Sequence, residues 1–182
     1  MTLHTFCVYV EDRPGVLNRV ASLFRRRGYN IESLAVGHSE RPGISRLTAV
    51  VATDEGGARR MEANLWKLVD VVHVEDITGR AAIERELALI KVQADRESRP
   101  SLVQLAHVFH ARVVDVAPDS IVIEISGSES KIDGLMEVLE PYGVIEMVRT
   151  GRIAMARGSG IAAARANETA PAALEAGIAC SV

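Results

Sequence analysis

Between an apolar, β-branched stretch and a helical pattern lies the segment Glu11-Asp12-Arg13-Pro14-Gly15-Val16-Leu17, whose residue types suit the capture of a small charged molecule. With a helix starting near Pro14, the backbone N–H groups of Gly15, Val16 and Leu17 fall at its positive end, where first-turn donors have no intrahelical acceptor. Such an end seats a carboxylate or a phosphate. Gly15 removes the side chain that would hold a ligand off the backbone. Asp12 adds a negative charge beside the seat, suited to an ammonium group. A carboxylate seat next to an ammonium partner is what an α-amino acid needs. Phosphate fits less well, because the segment has neither a full glycine-rich cradle nor a lysine. The same residues also make an ordinary helix start, with Pro14 where its missing N–H is not needed. The loop alone does not separate a binding site from a cap.

Other reactive types are sparser. His107 and His110 are spaced i, i+3 on a predicted helix, but no carboxylate or cysteine completes a metal-ligand set with them. Cys7 falls in mid-strand, without a helix N-terminus to activate a thiolate. The two cysteines, Cys7 and Cys180, are too few and too far apart for a disulfide framework, which favours a reduced, cytoplasmic setting. Arg25-Arg26-Arg27 reads as a basic helix C-terminus that offsets the dipole. No catalytic constellation emerges, and neither a catalytic nor a metal-ligating residue is assigned.

The elements that must position the loop repeat. Leu3 to Val10 reads as a strand, and Leu17, Val20, Ala21 and Phe24 form one apolar helical face. Gly28 suits a left-handed helix end. Strands are predicted from Asn30 to about Val36 and from Ser45 to Thr53, across a turn at Arg41-Pro42-Gly43. A helix carrying Ala58, Met61, Leu65 and Leu68 follows, then a strand from Val71 to Ile77. After a connection, the order returns. Arg85 to Ala94 is a strand, Pro100 to about Phe109 a helix, and Arg112–Ala117 with Ser120–Ser126 a hairpin. A helix comes next, with Ser130 and Asp133 spaced as a capping box, and one strand from Val144 to Met155 bent near Gly151. The expected organisation is α+β: two tandem ferredoxin-like βαββαβ units with antiparallel sheets and helices on one face. Residues 1–78 form the first unit, 79–84 a linker, 85–157 the second unit, and 158–182 an Ala/Gly-rich, flexible tail. The first and third strands of each unit should be central, leaving the second and fourth as edges open to pairing with another copy.

Composition limits the partners. The chain has 182 residues and a net charge of −3, so no general grip on nucleic acid is expected. Aromatics make up only 4%, with no Lys/Arg-Gly-Phe signature, which argues against an RNA-recognition domain on the same strand order. No apolar run is long enough to span a membrane, and the start lacks a signal peptide's basic and apolar regions.

The segment Arg27-Gly28-Tyr29-Asn30-Ile31-Glu32-Ser33 resembles the ACT family of amino-acid-binding regulatory domains, which joins a Pro-Gly helix start to a Gly-x-Asn-Ile turn. Together with Gly15 to Val20, Leu23-Phe24, Lys67 to Val71 and Glu84 to Val92, it is similar to the small regulatory subunits of acetolactate synthase, over about residues 3 to 157. The resemblance implies a chain with no active site of its own. Such a subunit binds the large catalytic subunit, raises its activity and confers feedback inhibition by valine or a related branched-chain amino acid. The large subunit uses thiamine diphosphate, magnesium and FAD to condense two pyruvates, or pyruvate with 2-oxobutyrate. The resemblance also implies a homodimer or higher homo-oligomer formed through the ACT domain, with the amino acid in the interface. Gly15, Val16 and Leu17 would hold the carboxylate; Asn30 and the Ile31 backbone of the facing chain would hold the other polar groups. Many family members have Asn where Asp12 stands. A buried isopropyl group would gain about 1.5–3 kcal/mol, provided fixed dipoles meet the charged ends. The second unit, with Asp95-Arg96-Glu97-Ser98-Arg99-Pro100-Ser101 in place of the loop, is expected to serve assembly and bind no amino acid. The alternative is a free-standing amino-acid sensor of another enzyme or a transcription factor, although no helix-turn-helix accompanies the repeats. A small metabolic enzyme ranks third.

Overall fold

A computed structural model describes residues 1–158. The tail expected over 158–182 lies outside the described residues, Gly158 excepted. The first unit runs β1 (Thr2–Glu11), α1 (Val16–Arg26), β2 (Ile31–His38), β3 (Ile44–Thr53), α2 (Glu55–Leu65), β4 (Val71–Asp76). The second runs β5 (Ala82–Gln93), α3 (Arg99–Val108), β6 (Arg112–Val116), β7 (Ser120–Gly127), α4 (Glu129–Leu139), β8 (Val144–Arg149) and β9 (Ile153–Ala156). The sheets are antiparallel, ordered β2-β3-β1-β4 and β6-β7-β5-β8, so the first and third strands of each unit are central, as the sequence predicts. The architecture is α+β with two ferredoxin-like units.

Alternation along the strands makes one face of each sheet apolar. In the first unit Phe6, Val8 and Val10 of β1 and Leu47, Ala49 and Val51 of β3 pack on the buried residues of α1 and α2. In the second, Ala88, Ile90 and Val92 of β5 meet Leu102 of α3 and Ile132 and Leu135 of α4. No helix among the described residues is long and apolar enough to cross a membrane.

Several expectations are corrected. Pro14 is not in the first helical turn: Gly15 takes a left-handed conformation (φ 85°, ψ −9°), which cannot belong to a right-handed helix, so α1 begins after it at Val16. The buried face of α1 is Val16, Val20, Leu23 and Phe24, and Leu17 is 44% exposed. Periodicity gave a correct helix, but which stripe faces inward is decided by where the sheet lies. The capping box at Ser130 is not formed; Ser128 is the N-cap and Ser130 lies inside α4. The bent strand Val144–Met155 is two strands separated at Thr150–Arg152, and β5 starts at Ala82, taking in three residues of the expected linker. Both changes have one cause: Ala82–Arg85 pairs with Ile153–Ala156, a contact too distant in sequence for local patterns to reveal. The ribbon so formed lies on the first unit's sheet, where Ala154 and Ala82 pack against Cys7 and Ile77.

Candidate functional site

The loop after β1 is pinned on both sides. The Glu11 N–H donates to the Asp70 carbonyl (2.9 Å) and the Asp12 N–H to the Gly43 carbonyl (2.8 Å). Gly43, at φ 75°, makes the tight turn that brings its carbonyl there. The Asp70 carboxylate, with its side chain 9% exposed, accepts from Arg19 Nε at 2.6 Å and ties α1 to the end of the loop. Arg19 and Asp70 thus shape the site although the sequence assigns them no role, and Gly43, read from the sequence only as part of a turn, holds its other side. Asp70 lies within the Lys67–Val71 stretch that carries the resemblance, but no local pattern connects it to Arg19, 51 positions earlier.

At the start of α1 no side chain caps the helix, its first turn holds no acidic residue, and Arg25 and Arg26 occupy its last turn. The first-turn amides therefore receive no side-chain acceptor from the chain. By contrast, the Asp54 carboxylate accepts from the Gly57 N–H at the start of α2. Of the three donors expected at α1, the Val16 amide turns back on the Arg13 carbonyl at 3.3 Å, whereas those of Gly15 and Leu17 make no backbone hydrogen bond among the described residues. Two donors without backbone partners thus lie beside the exposed Leu17 side chain, an arrangement of the kind that can accept an anion. A Cβ on Gly15 would meet only Arg19 at 3.5 Å, an ordinary contact, so glycine is needed there for its backbone conformation rather than for space.

Asp12 is exposed and lies 3.3 Å from Nδ1 of His38 at the end of β2. The histidine was missed because β2 reaches this point only through the sheet order. Asn30 is exposed and donates through Nδ2 to Glu32 Oε1 at 2.8 Å; Ile31 is partly buried against the first core. Asp12, Pro14, Gly15, Val16 and Leu17 therefore cluster, and Asn30 and Ile31 do not join them. They lie beyond the far end of α1, whose 11 residues span about 16 Å. One chain cannot close both groups on one amino acid.

The remaining candidates stay apart. Cys7 is fully buried; burial pushes its thiol above the ordinary range, against the pull of Arg46. α3 ends at Val108, and His110 follows it with φ 51°, so His107 and His110 do not share a helix face. Among the described residues, no group of three or more His, Cys, Asp or Glu side chains is arranged to hold a metal.

Two family descriptions match the chain: "AHAS small subunit-like ACT domain" over residues 6–73 and "Small subunit of acetolactate synthase" over 85–158. A probable acetolactate synthase small subunit of Archaeoglobus fulgidus is 47% identical over 156 residues, covering 86% of this chain and 98% of that one. The chain belongs to the acetolactate synthase small-subunit family. The small subunit of Mycobacterium bovis is 44% identical over 155 residues, covering 85% and 92% of the two chains. The solved small subunit of Thermotoga maritima superposes with a TM-score of 0.82 at 39% identity, covering 87% of this chain and 99% of that one. The ACT-domain match, over residues 6–73, contains every candidate residue from Asp12 to Ile31.

Proposed function

We propose that this chain binds the large catalytic subunit of acetolactate synthase, raises its activity and makes it sensitive to valine. One observation carries the effector part: the donor end of α1, held open by a left-handed Gly15 and left uncapped, within the ACT-type unit. In this reading the open amides of Gly15 and Leu17, on either side of Val16, take the valine carboxylate. The exposed Leu17 flanks its isopropyl group, and Asp12 faces the ammonium. Asn30 and the Ile31 backbone come from a second copy, because α1 separates them from the seat within one chain. A ligand that touches two copies binds their paired arrangement better than any other, and so shifts the population toward it. Linkage then requires the large subunit to alter valine affinity in return. Thiamine diphosphate, magnesium and FAD belong, in this reading, to the large subunit, and no residue of this chain is assigned to them.

The test is reconstitution. Mixing the chain with a matching large subunit should raise the rate of acetolactate formation, and valine should then lower it. No increase on mixing refutes the proposal. An increase that valine leaves untouched refutes its effector half.

A further inference from the structure

We propose that Gly151 and Arg152 are positioning residues that carry the state of the Asn30–Ile31 turn from the first unit into the second. The inference rests on the reading that this turn meets the amino acid, and it adds the route by which occupancy leaves the site.

The turn runs directly into β2, and the register of β2 against β3 shifts between Ile31 and Ser33. Glu32 is thus the extra residue of a bulge, left unpaired where the ladder of this edge strand is locally disrupted. Immediately after the bulge, the crossing segment between β8 and β9 lies on β2. The Arg152 N–H donates to Ser33 Oγ at 2.7 Å. At Gly151 the two backbones are in contact: a Cβ there would lie 2.4 Å from the Leu34 carbonyl oxygen and 2.6 Å from its carbon. Only glycine permits that approach.

On its other side the segment is fastened to the second unit. Thr150 exchanges hydrogen bonds with Leu87 of β5, its N–H donating to the Leu87 carbonyl (2.9 Å) and its Oγ1 accepting from the Leu87 N–H (3.0 Å). The Arg152 side chain, 12% exposed, lies 3.5 Å from Glu84 and from Glu86 and also pairs with Glu129 in the first turn of α4. Arg149 joins Glu86 to Asp133 of α4. A displacement of Ser33 therefore meets a segment that is hydrogen-bonded and ion-paired to β5 and α4 together, and it cannot be absorbed locally. The element with fewest ladder bonds to hold it is the bulge at Glu32, and the element fastened on both sides is the Arg149–Arg152 brace. Effector contact at the Ile31 backbone acts two residues from the hydrogen bond that joins them.

The test compares the full chain with Ser33→Ala and Gly151→Ala. In the parent chain, valine should change hydrogen exchange both over 30–36 and over 149–156. Ser33→Ala should keep the parent's calorimetric affinity for valine while the reconstituted enzyme loses sensitivity by at least about fivefold, the lower end of usual coupling. Gly151→Ala should do the same more strongly; Ser33→Ala, which removes only one acceptor, supplies the answer if Gly151→Ala does not fold. Valine that binds the parent with heat but leaves 149–156 unchanged overturns the brace alone. So does a Ser33→Ala enzyme that is fully inhibited. A parent chain giving no heat with valine overturns the effector reading, and the brace with it.

Discussion

The loops after β1 and after β5 begin alike and end differently. In each unit the last strand residue donates to a carbonyl just before the fourth strand: Glu11 to Asp70, and Gln93 to Gly143. The next residue donates to the turn before the third strand: Asp12 to Gly43, and Ala94 to Asp119. Even the irregularity in pairing with the fourth strand recurs, at Tyr9/Val10 and at Lys91/Val92. Beyond these shared straps the second loop fills itself. The Asp95 carboxylate accepts from the Glu97 amide (3.0 Å) and from the Ser98 amide and hydroxyl (2.7 Å each). The Arg99 guanidinium donates to the carbonyls of Ala94, Ala117 and Pro118, which closes the surrounding turns. In the first loop no carboxylate takes that place, and a left-handed glycine stands before the helix. One fold thus offers the same position twice, once satisfied by its own acid and once left for another.

The sharpest way to break this contrast is Gly15→Asp, which gives the first loop both a Cβ and a carboxylate of its own. A non-glycine residue in the left-handed region costs about 1–2 kcal/mol, and a loop that relaxes out of that conformation loses the seat, so valine affinity should fall by about 5- to 30-fold. Calorimetry with valine measures it, and undiminished heat would show that the open seat is not the binding element. Next in size is Arg19→Ala. It leaves the nearly buried Asp70 carboxylate without its guanidinium, and because Arg19 itself is half exposed the loss of stability should be about 1 kcal/mol. Denaturant unfolding should register it, with valine affinity weakened as the loop loosens. An unchanged midpoint would mean that the backbone straps hold the loop by themselves. The smallest effect belongs to Asp95→Asn. Hydrogen bonds from the Ser98 amide and hydroxyl hold the Asp95 pKa below its ordinary value. Its contribution is therefore complete above the usual carboxylate pKa of about 4 and drains away as the pH falls through the lowered value. The stability gap between parent and Asp95→Asn should be widest near neutrality and close in acid. A gap that widened in acid would contradict the self-filled loop.

Much of this was legible in the residues. Strand alternation and helical periodicity give both βαββαβ units, and Gly28, at φ 73°, ends α1 where its type suggested. Residue types at the loop are compatible with an anion seat and equally with an ordinary helix start; the left-handed Gly15 and the missing side-chain cap are visible only in the structure. What else escaped depends on distance along the chain. The exposed Leu17, the Asp12–His38 contact and the Arg19–Asp70 pair all follow from how α1 and the strand ends come to rest. β9 escaped for the same reason. Its four residues look like the tail of a longer strand until their partner, Ala82–Arg85, is known.

The ribbon of β5 and β9 over Cys7 also bears on synthesis. Residues 77–152, 76 in all, separate the end of β4 from the start of β9. At roughly 5–20 residues per second, a ribosome needs about 4–15 s to deliver them. For most of that interval the nascent chain has Ile77 and Ala82 but not Ala154, so the cover over Cys7 is completed only when β9 is made.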